Sequence, residues 1–294
     1  LGTLPAGNLY TTAEDLAIFL RVLFARGRSG NKQIIRPETL EEMWTVQLTS
    51  ETNGFGLGFN VGHRGGKRTI GHSGAVYGFT SSIAALPEEK LGVVVLSNDD
   101  LAVAAVERIN NAAWEVLRGA GSASGTGRAS VAASRGAAFD GEYQSESYWA
   151  KIEGLNANLS GQKTTLRPLD DLTFEINNRI INNSRLTLSS DRNSFTALGQ
   201  KFERVRQRAP IARAWKDLLG SYGPEFIPLT ISERNGRLYA MTENMYDYAL
   251  APESETVFKM PPGLYTDERL AFHRNEKGKV HMAVLANMPL PRRR

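Results

Sequence analysis

The stretch 119–138 constrains this chain more than any other. It is built from Gly, Ser, Ala and Thr with two arginines and one valine, and large apolar side chains almost vanish from it. Such a segment behaves as flexible coil and has nothing to contribute to a core. Separate cores are therefore expected on either side of it. The 294 residues are enough for two domains or three. The expected division is 1–119, a linker at 120–138, and a C-terminal region that splits into 139–208 and 209–294. The last two are β modules that could also form one barrel.

Composition removes several function classes. Cysteine is absent, which excludes disulfides, thiol catalysis and thiolate metal sites. The four histidines, His63, His72, His273 and His281, show no H-x-x-x-H spacing, so no metal site is expected. Net charge is +4, but Arg292, Arg293 and Arg294 account for most of it. The three read as a tail, and no nucleic-acid partner is expected. The longest apolar run, Leu91 to Leu96, is strand-sized, and no membrane span is expected.

Before the break, helix and strand signals mix. Thr11-Thr12-Ala13-Glu14 fits a capping box. Leu16, Phe19, Leu20, Leu23 and Phe24 follow at helical spacing, with Gly27 and Gly30 as terminators. Pro37 suits the first turn of a second helix that presents Leu40, Met43 and Trp44. Strands are expected over 55–61, 69–73, 78–86 and 90–97, the last two joined by the polar turn Pro87-Glu88-Glu89-Lys90. Val103, Val106, Ile109, Ala113, Trp114 and Leu117 then predict an amphipathic helix.

After the break the signal is almost entirely β. Short apolar runs alternate with Asn, Gly, Asp and Ser clusters, as in antiparallel barrels or sandwiches. A faint repeat is visible. Gly141-Glu142-Tyr143 is echoed by Gly220-Ser221-Tyr222, and each copy continues to a Pro-containing strand (Pro168, Pro252) and a lone phenylalanine (Phe174, Phe258). A helical stretch, 211–219, separates them. Tyr222, Phe226, Tyr239, Tyr246 and Tyr248 are read as barrel core rather than as the lining of a ligand cavity. The fold class is α+β, an antiparallel sheet with helices followed by antiparallel all-β modules.

The segment with chemical content is Gly71-His72-Ser73-Gly74-Ala75-Val76-Tyr77-Gly78-Phe79. Glycines flank a His-Ser pair at the end of a strand. Glycine there lets a ligand approach the backbone, and an N–H not used by the ladder can serve an oxyanion. Together with Pro5-Ala6-Gly7-Asn8-Leu9-Tyr10-Thr11-Thr12-Ala13-Glu14-Asp15-Leu16 and Phe55-Gly56-Leu57-Gly58-Phe59, this segment resembles the C-terminal part of the serine β-lactamase-like superfamily. That superfamily includes class C β-lactamases, DD-peptidases, D-aminopeptidases and family-VIII-type esterases. The β region resembles the barrel-like, lipocalin-like modules appended to some members.

The resemblance implies a serine nucleophile that is acylated by an amide or ester and then released by water. A peptidase or esterase is expected rather than a β-lactamase. His72 would stand where the superfamily has Lys or His. Ser73 would contact substrate, the Ala75 N–H would be one oxyanion donor, and Gly74, Val76 and Tyr77 would line the substrate site. No cofactor is implied, and an extracytoplasmic or periplasmic location follows from the resemblance alone. The Ser-x-x-Lys and Tyr motifs of the superfamily are expected upstream of the Pro-Ala-Gly segment. Ser29-Gly30-Asn31-Lys32 has the right letters but follows a helix end, Tyr143-Gln144-Ser145 falls in the β region, and Ser190 to Asn193 is a polar turn. The expected partner is therefore an N-terminal half carrying the nucleophile, as preceding chain or as a separate bound polypeptide. The substrate would be a small molecule or peptide. The rival reading is a non-catalytic module whose β region binds a peptide, glycan or lipid.

Overall fold

A computed structural model describes residues 7–47, 52–76, 78–119, 139–242, 245–263 and 265–293. The expected linker and Tyr77 lie outside the described residues. The chain divides into two compact units, Leu1–Gly127 and Arg128–Arg294. Most of the described structure is antiparallel sheet with few helices.

In the first unit, helix α1 spans Ala13–Phe24. Its capping hydroxyl is Thr12 rather than Thr11: Thr12 is extended, and its side chain accepts from the Asp15 N–H at 3.1 Å. At the other end Arg26 takes the left-handed conformation (φ 53°). Its N–H donates to Leu23 O, and that of Gly27 donates to Val22 O. These are the two bonds of a Schellman ending. Gly27 is needed for a second reason, since a Cβ there would lie 2.0 Å from Ile35 O. Gly30 belongs instead to the tight turn between β1 (Arg28–Ser29) and β2 (Lys32–Gln33). Helix α2, Pro37–Met43, starts on its proline as expected.

Five strands then form one antiparallel sheet in chain order: β3 (Gly54–Phe55), β4 (Asn60–Arg64), β5 (Lys67–Val76), β6 (Phe79–Leu86) and β7 (Leu91–Ser97). The single strand expected over 55–61 is a hairpin instead. Phe55 pairs with Asn60, and the chain reverses through Gly56, Leu57 and Gly58 (φ 78°). The large-small alternation came from turn glycines, not from a pleat. A helix covers each face of the sheet. Leu20 of α1 reaches over Gly92, where a Cβ would stand 2.6 Å from Leu20 Cδ1. From the opposite face Val93 and Val95 pack with Val106 and Trp114 of α3 (Val103–Leu117).

Helix α3 is rotated from the expected face. Val103, Ile109 and Leu117 are exposed, whereas Ala104 and Asn110 are buried. Trp114 is 2% exposed and sets the orientation, and Asn110 Nδ2 donates to Ser82 Oγ at 3.1 Å. That bond explains how an asparagine can occupy a core position.

The second unit is two copies of one nine-stranded pattern. The first runs β8 (Gly141–Gln144), β9 (Trp149–Glu153), β10 (Asn156–Leu159), β11 (Gln162–Thr165), β12 (Arg167–Pro168), β13 (Thr173–Ile176), β14 (Ser184–Leu188), β15 (Ser194–Ala197) and β16 (Gln200–Arg204). The second runs β17 (Gly220–Tyr222), β18 (Leu229–Arg234), β19 (Arg237–Met241), β20 (Asp247–Ala249), β21 (Ala251–Pro252), β22 (Val257–Lys259), β23 (Arg269–Arg274), β24 (Val280–Leu285) and β25 (Met288–Pro291). A short 3-10 helix, Arg213–Leu218, precedes β17, where the sequence predicts a longer helical stretch.

The strand order of the first copy is β11-β10-β9-β8-β16-β15-β14-β13-β12, so β11 and β12, neighbours in sequence, sit at opposite edges and the sheet curls almost closed. The second copy has the same order, with β17 and β25 joined through the single bridge Tyr222↔Arg292, the counterpart of Tyr143↔Arg204. Pro168 pairs with Phe174 as Pro252 pairs with Phe258. Leu166 N–H donates to Leu155 O at 2.7 Å, and Leu250 N–H to Leu238 O at 2.8 Å.

Each copy has its own core. Tyr143, Phe174, Phe195 and Phe202 fill the first, and Tyr222, Phe258 and Phe272 fill the second. Tyr239, Tyr246 and Tyr248 are also buried, as read from the sequence, whereas Phe226 is 63% exposed. Between the copies Trp149 meets Tyr239 and Ala249, and backbone bonds run from Asp247 N to Ser160 O and from Ala249 N to Ser147 O, both 2.9 Å.

Candidate functional site

The His-Ser-Gly segment forms the far half of β5. Strand β4 pairs with β5 only from Lys67 to Gly71, while β6 accompanies it from Ile70 to Val76. Residues 72–76 therefore have a strand on one side and, among the described residues, none on the other. All five are exposed, whereas Ile70, two residues before His72, is 2% exposed in the core. A single strand thus passes from a buried anchor to an open edge.

Two glycines shape this edge for different reasons. A Cβ on Gly71 would lie 2.3 Å from Ile83 O, so β5 and β6 approach there more closely than a side chain allows. Gly78 has φ 88° in the tight turn joining Val76 to Phe79, a conformation that favours glycine. At Gly74 the nearest neighbour of a Cβ would be Ser81 Oγ, 3.2 Å away.

Side chains alternate along the strand. His72, Gly74 and Val76 share the face of Ile70, which packs with α1, and the Ser73 and Ala75 side chains take the opposite face. The imidazole and the hydroxyl therefore leave the strand in opposite directions, and the feature they share is the edge backbone. His72 Nδ1 lies 2.7 Å from Ser73 O. A carbonyl can only accept, so Nδ1 carries the proton and donates. In the neutral ring this leaves Nε2 as the acceptor.

Gly7, which closes the Pro-Ala-Gly segment, comes to the same place. A Cβ on Gly7 would stand 3.3 Å from Val76 Cγ2, and Leu9 and Tyr10, two and three residues later, are 82% and 88% exposed. Two of the segments singled out in the sequence thus meet at the open end of β5. Tyr77 lies outside the described residues.

The three sequence alternatives for the other motifs are all structural. Ser29 and Lys32 face each other across the β1–β2 hairpin and do not begin a helix. Tyr143 is buried, and its hydroxyl donates to Phe139 O at 2.9 Å. Asp191 holds a turn by accepting from Ser189 Oγ and Asn193 N.

A second polar constellation escaped sequence reading. Trp149 Nε1 donates to Asp247 Oδ2 at 2.9 Å between the two β copies, and the Arg234 guanidinium lies 3.5 Å from the centre of the Trp149 ring. Burial pushes the Asp247 carboxyl above its usual range, and the Trp149 bond and Arg234 only partly offset this. The partners are 98 residues apart in sequence, so no local pattern could have joined them.

Residues 2–118 match the family model described as Beta-lactamase. No curated protein matches the chain. Among solved structures, the octameric penicillin-binding protein homologue from Pyrococcus abyssi is 19% identical with a TM-score of 0.34, covering 65% of this chain and 46% of its own. SurE with D-Leu is 17% identical with a TM-score of 0.34, covering 100% of this chain and 52% of its own. A further SurE structure is 17% identical with a TM-score of 0.31, covering 96% and 48%. The chain spans about half the length of these structures.

Proposed function

Because residues 2–118 are a segment of the serine β-lactamase-like superfamily, we propose that the edge 72–76 is one wall of an acyl-transfer site in a serine hydrolase. The substrate is an amide or ester, and the attacking serine belongs to polypeptide other than these 294 residues, either preceding chain or a separate bound partner. The observation that carries this reading is the open half of β5, exposed from His72 to Val76 and, among the described residues, flanked by a strand on one side only.

The chemistry assigned to these residues follows from their atoms. The serine oxygen attacks the carbonyl carbon and gives up its proton, and the carbonyl π electrons move to oxygen. The Ala75 N–H and the N–H of the nucleophile donate to that oxyanion. Loss of one such donor typically costs about 2.7–4 kcal/mol of barrier. The intermediate collapses, the bond to the alcohol or amine breaks, and the leaving group departs with a proton. Water then attacks the acyl-enzyme carbonyl and releases the acid, returning the serine hydroxyl. His72 Nε2 is the group on this wall able to accept or return a proton, with Nδ1 held by Ser73 O. Ser73 reaches substrate across the edge, and Gly74 and Val76 flank it.

The test is turnover of an activated ester by this chain together with the nucleophile-bearing polypeptide, with and without His72→Ala. The reading expects a loss of about 10²–10⁴-fold, the range for a general acid–base group. Unchanged turnover removes the role assigned to His72.

A further inference from the structure

We infer that the substrate of this site is uncharged and apolar on the side that lies along β5, so that the enzyme acts on apolar acyl esters or amides and rejects those bearing a nearby carboxylate. The inference rests on the acyl-transfer reading above and adds the substrate class to it.

Two observations carry it. The first is charge. Residues 69–87, which take in the open half of β5 and all of β6, contain no Asp, Glu, Lys or Arg, and neither do residues 7–13; the cations of β5, Lys67 and Arg68, stand at its other end. A carboxylate laid along this wall would lose water and meet no cation from either segment, which is costly. Sites that select carboxylates place a guanidinium or ammonium on them.

The second observation is the composition of the rim. Val76 and Phe79 are register partners across the turn, on the same face as His72, and are 37% and 60% exposed. Gly7 backs onto Val76, and the exposed Leu9 and Tyr10 follow it. Apolar surface therefore begins where the edge with the His72 imidazole and the Ala75 amide ends. An alkyl or aryl acyl group bound with its carbonyl at Ala75 would run onto Val76 and Phe79 and remove their surface from water.

The experiment compares two esters of equal length, p-nitrophenyl hexanoate and the mono-p-nitrophenyl ester of adipic acid, on this chain together with the nucleophile-bearing polypeptide. The inference expects kcat/KM for the hexanoate to exceed that for the adipate at least tenfold. It further expects Phe79→Asp to raise KM for the hexanoate severalfold with kcat little changed, and Phe79→Leu to restore it. Equal turnover of the two esters, or indifference to Phe79→Asp, overturns the inference. A fluorophosphonate label separates the two levels: labelling with no preference for hexanoate sinks the substrate class alone, and no labelling and no turnover sinks the acyl-transfer reading together with it.

Discussion

Arg292 stands over Tyr222 with its Cζ 5.8 Å from the ring centre, and its Nη2 donates to Leu219 O at 2.8 Å. The Tyr222 hydroxyl in turn donates to Leu218 O at 2.7 Å. The first β copy repeats the arrangement: Arg204 lies 4.9 Å from the ring centre of Tyr143, its Nη1 donates to Asp140 O at 2.6 Å, and the Tyr143 hydroxyl donates to Phe139 O. In each copy the arginine sits just past or at the end of the last strand and closes it onto the first. Burial raises both phenols, so both stay protonated donors. Arg292 is thus the closing residue of the second β copy rather than part of a tail.

Replacing Arg292 with Ala removes charged donors from part-buried carbonyls and a cation from an aromatic face. The expected loss is about 1.5–3 kcal/mol. Arg204→Ala should cost a similar amount in the first copy, and Lys should rescue neither fully because it lacks the planar fork. Urea denaturation of the purified chain measures this. A midpoint unchanged by Arg292→Ala contradicts the closing role.

Asp247 sets a pH dependence whose sign follows from its environment. Its folded pKa is raised by burial. The folded state therefore holds the proton more tightly than the unfolded chain, and this contribution to stability is lost as pH rises through the folded pKa. Asp247→Asn keeps an oxygen for Trp149 Nε1 and removes the charge. It should leave stability unchanged at low pH, raise it by about 1 kcal/mol at neutral pH, and flatten the slope between. Asp247→Ala should instead cost about 1–3 kcal/mol, because the Trp149 N–H loses its partner. Denaturation midpoints across the acid range for the three proteins decide it; an Asn variant that steepens the slope contradicts the assignment.

Gly71 and Gly74 are separable. Gly71→Ala puts a methyl 2.3 Å from Ile83 O, and backbone must move, at about 1–3 kcal/mol. Gly74→Ala meets only the Ser81 hydroxyl, which can rotate, so stability should change little. Because that methyl stands beside the Ala75 amide, ester turnover should still fall. Thermal unfolding of the two variants, read beside turnover of a p-nitrophenyl ester, checks the contrast. A Gly74→Ala variant with both properties intact would place the site elsewhere.

How much of this was legible in the sequence depended on whether the information was local. The helix starts near Thr11-Thr12 and at Pro37, the hairpin 79–97 and the short strands after 139 follow from residues a few positions apart, although the capping hydroxyl is Thr12 rather than the Thr11 of the box pattern. The Gly-x-Tyr echo was legible too, because a Tyr four residues past its own carbonyl partner is a local device. The misreadings have a common cause. The rotation of α3 goes with the burial of Trp114 and the contact of Asn110 with Ser82, and the break in 55–61 with the approach of Gly56 to Met43 O, 2.1 Å from where its Cβ would be. Arg292 and Asp247 likewise act on residues far away in the chain. At the candidate site the motif was readable, but the sequence could not show that the pairing of β4 with β5 ends at Gly71 and leaves the edge beyond it open.

The most direct test is hydrogen exchange at the Ala75 amide before and after the nucleophile-bearing assembly reacts with a fluorophosphonate. If β5 is the oxyanion wall, the phosphonyl oxygen accepts from that amide, and exchange there slows at least tenfold in the adduct while Lys67 to Ile70 are unaffected. An adduct that forms and leaves Ala75 exchanging at its former rate contradicts the account.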